Sequence, residues 1–320
     1  MANLELRCAT QTESRGVDPI GTAPAYDAYV LVEVPLPWPS AITDHALLTD
    51  VVTAIGASGV KATVLGLVPD HDEAGRHRVI VYRREPGPFL RYGRREEVAP
   101  SRDLAEVTAA LLATPAAADD PSGRDPEPAG REVAADLLIC THGRRDRCCG
   151  SFGTNLFTAV GARHGRDGVR SWRVSHTGGH RFAPTAVLLP EGTLWSWLDG
   201  ELVDTIVPRR GAATDVLDHY RGSSAMGSPA VQVAVREAFR REGWSWLDCE
   251  RSGSLLDHDG DRFEVRIDAT RPDGSRTAAT ATVERVGTVP QPVCGEPPTS
   301  AGNGKSDSIW VLTRFDPVDP

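Results

Sequence analysis

Two short segments constrain this chain more than any other: CTHGRRDRCCG at Cys140 to Gly150 and SHTGGH at Ser175 to His180. They place two cysteines nine positions apart, Cys140 and Cys149, and then two histidines four apart, His176 and His180. Four soft or borderline ligands on two glycine-rich loops suffice to close one metal site. Thiolate with imidazole suits zinc, or an iron-sulfur cluster in which histidine replaces half of the cysteines.

Spacing alone leaves both open. Zinc modules usually bring cysteines in tight pairs, with two to four residues between them, whereas eight residues separate Cys140 from Cys149. A wide first pair and a narrow H-x-x-x-H pair fit two loops gripping a larger object, and the narrow pair favours both histidines on one iron. Gly143, Gly150, Gly153, Gly178 and Gly179 permit backbone conformations and approaches that side chains would block. Arg144, Arg145 and Arg147 could offset the charge of a metal centre or dock an acidic partner; in an arginine-rich chain, solvated surface explains them equally well.

Of the six cysteines, Cys140, Cys148 and Cys149 cluster, while Cys8, Cys249 and Cys294 are scattered singly and are expected to be plain thiols. So few cysteines in 320 residues make no disulfide framework; such a cluster points to metal binding or catalysis. His142 is expected to be an exposed loop histidine. His45, His71, His77, His164, His219 and His258 lack neighbouring ligand types and read as structural.

A net charge of −9 argues against a nucleic-acid surface, which needs clustered positive charge. No window approaches the ~20 apolar residues of a membrane helix and the N-terminus has no apolar signal region, so a cytoplasmic location is expected. No G-x-G-x-x-G or P-loop pattern follows a strand, so nucleotide or flavin binding is unsupported and electrons would have to come from an external redox partner.

The runs LLICTHGRRDRCCGSFG and SHTGGHRFAPTAVLLPEG, with the upstream GTAPAYDAYVLVEVPLPWP, resemble the sucrase/ferredoxin-like family over roughly residues 21–208. The resemblance implies an α/β fold of thioredoxin-like ferredoxin layers and a [2Fe-2S] cluster held by Cys140, Cys149, His176 and His180. It also favours Cys149 over Cys148 as second ligand, because the family's second cysteine directly precedes the glycine-containing turn, here Gly150. Adjacent side chains on an extended backbone point to opposite sides, so Cys148 becomes a bystander. Two imidazoles in place of two thiolates raise the potential relative to an all-cysteine ferredoxin and couple electron to proton uptake. The function implied is soluble electron transfer or redox sensing. The alternatives are a structural zinc module serving an interaction protein and a cysteine-based thiol enzyme.

At 320 residues, one large or two modest domains are expected. We expect an N-terminal α/β domain over 1–114, a linker or mobile loop over 115–130, a cluster-binding domain over 131–210 and a helical and β-hairpin region over 211–320. Residues 1–20 read as a frayed polar lead. Strands are predicted at 26–35, 61–68, 77–83, 136–140, 171–175, 185–189 and 308–314, with a short segment at 193–198. Helices are predicted at 44–57, 103–113 with Ser101 as cap, 154–164 and 229–242, and a hairpin around the Pro272-Asp273-Gly274 turn. Residues 295–307 read as a flexible loop. The two successive α/β units could be divergent copies, although no repeat is evident in the sequence.

Overall fold

The computed structural model describes residues 7–70, 75–113, 134–165, 168–297 and 304–320. The predicted linker at 115–130 lies outside the described residues, as do His71, the first six residues of the lead and 298–303 of the expected C-terminal loop.

The first unit runs β1 (Ala28–Glu33), α2 (Thr49–Ala57), β2 (Ala62–Leu67), β3 (Arg76–Arg83), β4 (Gly93–Pro100) and α3 (Leu104–Ala113), preceded by α1 (Cys8–Ser14). The second repeats that order: β5 (Ala135–Cys140), α4 (Thr154–Val160), β6 (Val169–Val174), β7 (Ala186–Leu189), β8 (Thr193–Trp195) and α5 (Gly200–Ile206). In each, the first two strands are parallel across a helix and the third and fourth pair antiparallel. With β9 (Tyr220–Ser223) they make one nine-stranded sheet, ordered β4-β3-β1-β2-β6-β5-β7-β8-β9. The first eight strands of that order read as the same unit from either end, as expected of divergent copies of one α/β layer. The units meet where β2 and β6 pair antiparallel at Leu67 and Val174, the C-terminal ends of both strands.

The sequence dictates these strands through burial. β1 is buried along its whole length, a continuous apolar run of the kind that central strands carry. Its alternate residues serve two cores: Val30 and Val32 face Val51 and Leu104 of the helices, while Tyr29 and Leu31 join Leu138, Trp172 and Trp195.

A buried charge network ties the units together. Asp136 on β5 accepts from Tyr82 Oη at 2.6 Å, Trp172 Nε1 at 2.8 Å, and Arg94 Nε and Arg170 Nε at 3.1 Å each. Glu96 pairs with Arg170 at 2.9 Å and also with Arg94 and Arg78. Burial alone would raise the Asp136 carboxyl, but Arg94 and Arg170 beside it hold it down at about 2.

The C-terminal region packs α6 (Pro229–Glu242) on a four-stranded antiparallel sheet, β10 (Glu250–Asp259), β11 (Arg262–Thr270), β12 (Arg276–Pro290) and β13 (Ser306–Val318). The predicted stripe Val231, Val235, Ala238 and Phe239 is buried, and Arg236 on the other face holds Asp18 with two bonds of 2.7 Å. The hairpin around 272–274 joins β11 to β12 as predicted.

Several boundaries differ from expectation. The 44–57 helix is broken into 3-10 turns before α2, and the 154–164 helix stops at Val160. Ser101 caps nothing, its hydroxyl bonding instead to His77 Nε2 at 2.9 Å. β4, α5, β9 and β10 were not anticipated. The lead is not frayed from Cys8 onward: α1 buries Cys8, Ala9, Gln11 and Thr12, and Gln11 Nε2 donates to the carbonyl of Glu296 at 2.9 Å.

Candidate metal centre

Parallel β5 and β6 end side by side, so the loops leaving Cys140 and Val174 converge at the C-terminal edge where open α/β sheets place their sites. Leaving Cys140, the chain makes a loop that returns through a single π turn, Cys149–Gly153, directly into α4. Such turns recur at functional sites. Gly153 is required there, because a Cβ would overlap the Cys140 carbonyl oxygen. On the other loop, Gly178 (φ +85°) and Gly179 (φ +73°) take left-handed conformations that swing the chain between His176 and His180. A Cβ on Gly179 would also strike the Arg221 guanidinium, which is buried and donates to the carbonyls of Gly178 at 3.1 Å and Thr22 at 2.8 Å.

Cys140 and Cys149 are fully buried and in thiol contact. The hydrogen bond from Cys149, reinforced by His176 and the backbone of His142, pulls the Cys140 thiol well below its ordinary range despite burial; the same bond pushes Cys149 up. His176 Nδ1 is buried with no hydrogen-bond partner among the described residues. The His176 and His180 rings lie 6.1 Å apart, centroid to centroid. His180 Nδ1 meets Asp146 Oδ2 at 2.8 Å, and Asp146 Oδ1 accepts from the backbone of Cys148 at 2.8 Å and Cys149 at 3.2 Å. One carboxylate thus fixes both the cysteine turn and the second histidine.

The structure brings a further group of thiols to the other side of this turn. Cys148 Sγ lies 3.5 Å from Cys8 Sγ and 3.2 Å from Cys294 Sγ, and Cys294 lies 3.3 Å from Cys8. Cys8, Asp146, Cys148 and Cys294 have potential ligand atoms that all fall within 4.8 Å of one another. The hydrogen bond from Cys148, with one from Cys8, draws the Cys294 thiol far down, and the reciprocal bond raises Cys148. The expectation that Cys8 and Cys294 are plain scattered thiols is therefore corrected. Contacts spanning 286 positions leave no trace in local pattern, so no sequence signal pointed to them. Cys249 alone stays apart, bonding the Ser245 carbonyl at 3.4 Å. His142 is likewise not exposed: it is buried, lies edge-on to Trp38 and meets the Pro39 carbonyl at 2.8 Å through Nε2. Trp38 and Pro39, at the end of the PLPWP run that closes β1, supply this cover.

Beside the centre runs an open groove of about 820 Å³ carrying Arg144, Arg145, Arg147, Arg181 and Lys305, with His176 and His180 in its wall. Arg181 itself is buried in a two-pronged ion pair with Asp307 on β13, which anchors the C-terminal sheet to the histidine loop.

Fold and site together define an α/β protein whose two layered units carry a cysteine- and histidine-rich candidate metal centre at one strand edge. The sucrase/ferredoxin-like family model matches residues 19–222, well over half of the chain, and the protein belongs to that family. Cys140, Cys148, Cys149, His176 and His180 fall inside the matched region, and Cys8 and Cys294 outside it. No curated protein and no solved structure gives a significant match. Among the described residues, no helix is long and apolar enough to cross a membrane.

Proposed function

We propose that this protein is a [2Fe-2S] electron-transfer or redox-sensing protein whose cluster is held by Cys140, Cys149, His176 and His180. The observation that carries the reading is the meeting of the Cys140–Cys149 thiol pair with His176, whose buried Nδ1 has no hydrogen-bond partner among the described residues. A buried, unpaired polar atom is costly unless something binds it, and thiolate with imidazole is a donor set that iron-sulfur centres accept. When bound, the cluster supplies one-electron chemistry.

The chain's own residues do the rest. Asp146 holds the Nδ1 edge of His180 and so leaves Nε2 for a metal, the carboxylate–histidine arrangement that fixes tautomer and ring orientation. Ser175 and Gly66 pin the start of the histidine loop to β2. Ligating imidazoles carry an outer ring N–H, so reduction is proposed to be linked to proton uptake. The arginine groove beside His180 is suited to an acidic external redox partner, which long-range attraction would steer toward the centre. Burial of both Cys148 and Cys149 speaks against the thiol enzyme, since a nucleophilic cysteine must be reachable.

Iron, sulfide and zinc analysis of anaerobically purified protein, with EPR of its reduced form, tests the reading. About two irons and two sulfides per chain, lost in Cys140→Ser and His176→Ala, are expected. Zinc at the Cys140–Cys149–His176–His180 set, with no visible absorption after reconstitution with iron and sulfide, would overturn it.

A further inference from the structure

We propose that Cys8, Cys148 and Cys294, with Asp146 as fourth ligand, form a second metal site that takes a single zinc-type divalent cation. This site goes beyond the iron-sulfur reading and does not share its cysteines.

The argument begins with the shape of the group. Three sulfurs at 3.2, 3.3 and 3.5 Å from one another make a nearly equilateral triangle. A tetrahedral ion with Zn–S bonds of about 2.3 Å needs S···S edges of about 3.8 Å, so a small outward rotation of each side chain admits it. The fourth vertex falls to a carboxylate oxygen, Asp146 Oδ2, which lies 3.9 Å from Cys8 Sγ while also pairing with His180 Nδ1 at 2.8 Å. Three thiolates and one carboxylate oxygen, all ligands that zinc accepts, leave no open position, as in a closed structural site.

Other occupants fit less well. A two-iron cluster takes two protein ligands on each iron, and a triangle this tight crowds three sulfurs about one point. A disulfide would use two of the three thiols and strand the third in a buried position. Backbone amides point at the sulfurs as they do around metal thiolates: the Cys8 N–H donates to Cys294 Sγ at 3.4 Å. Cys8 and Cys148 are fully buried, as suits a structural ion.

The three thiols also come from three parts of the chain that lie far apart in sequence. Cys8 opens α1, Cys148 precedes the π turn, and Cys294 lies in the 291–297 segment between β12 and β13. A shared ion would staple both outlying segments, each beyond the family-matched region, over the loop that carries Cys149. Binding releases the thiol protons to solvent.

The test uses the full-length protein, purified anaerobically, with zinc and iron measured separately and zinc-edge X-ray absorption on the same samples. We expect one zinc per chain in protein whose iron site is full, with three sulfurs and one oxygen around it. Cys294→Ser, on the half-exposed segment, and Cys8→Ser should lose that zinc and keep the iron, whereas Cys140→Ser should lose the iron and keep the zinc. Circular dichroism confirms that each variant is folded, and addition of zinc alone to metal-stripped wild type checks uptake independently of expression. Loss of iron in Cys8→Ser and Cys294→Ser would overturn the proposal by assigning these thiols to the cluster. So would a disulfide among the three in anaerobic protein, or failure of wild type to take up zinc. Should Cys140→Ser leave the iron in place, the iron-sulfur reading fails while the zinc site stands or falls on its own result.

Discussion

Ser175 and Gly66 hold each other by two hydrogen bonds, Ser175 N–H to the Gly66 carbonyl at 2.9 Å and Gly66 N–H to Ser175 Oγ at 3.0 Å. This clasp lies where β2 of the first unit meets β6 of the second, one residue before His176. The first unit, which carries none of the four expected ligands, therefore sets the position of the histidine loop. Ser175→Ala would leave the buried Gly66 N–H without its acceptor, a loss of roughly 1–3 kcal/mol. Denaturant unfolding should show that drop, and the variant should bind metal less tightly; unchanged stability would mean that another acceptor replaces the hydroxyl.

Asp146 serves the centre through both carboxylate oxygens, Oδ1 on the Cys148 and Cys149 amides and Oδ2 on His180 Nδ1, and Oδ2 is also the proposed zinc ligand. Asp146→Asn keeps an oxygen for the Cys148 and Cys149 amides but removes the negative partner of His180 Nδ1. Losing such a partner typically costs about 10–100-fold in metal affinity. We expect the folded variant to lose iron to a chelator markedly faster than wild type and to lose zinc as well. Retention of both metals at wild-type rates would show that Asp146 only shapes the turn.

At Gly153 the limit is steric. Gly153→Ala puts a methyl group into the Cys140 carbonyl, and a backbone atom cannot step aside as a flexible side chain can. The π turn must open, moving Cys149 away from Cys140. Loss of metal binding with the far sheet β10–β13 still formed is the expected outcome, read by metal analysis and hydrogen exchange. Gly56→Ala, on α2 with open space around it, is the matched control.

How much of this was legible in advance follows from what kind of interaction forms each element. β1 and β5 declare themselves as continuous apolar runs, and α6 as a 3.6-residue stripe, because their burial is written in consecutive residues. β4 escaped notice because GRREEVAP reads as a charged loop, whereas its Arg94 and Glu96 are drawn inward by partners on β3, β5 and β6. β10 was missed for a related reason: in its exposed stretch Ser254 to Asp259 the only apolar residues, Leu255 and Leu256, are adjacent and so do not build one face. The cysteine–histidine spacing exposed one candidate centre, since its members are near in sequence. Cys8 and Cys294 gave no such sign, and neither did the buried Arg221 that props up Gly178. The twofold β-α-β-β-β-α order also had to be seen in three dimensions, because the copies share topology without a readable repeat.

The Asp136 network supplies a prediction about acid. Asp136 is fully buried between two arginines, and its carboxyl sits at about 2, below the value of about 3.9 expected in an unfolded chain. A group whose folded value is depressed stabilises the fold above the unfolded value, and that contribution fades as pH falls through the folded one. The window is thus about pH 4 down to about pH 2. Asp136→Asn removes the charge while keeping the shape, leaving the desolvated Arg94 and Arg170 with one carboxylate fewer beside Glu96. Breaking a buried pair in this way typically costs about 3–5 kcal/mol. Measured at pH 7, the variant should be less stable by an amount of that order, and its stability should fall less steeply than that of wild type between pH 4 and pH 2. Equal slopes in that range would place the acid sensitivity of the wild type elsewhere than in this carboxylate.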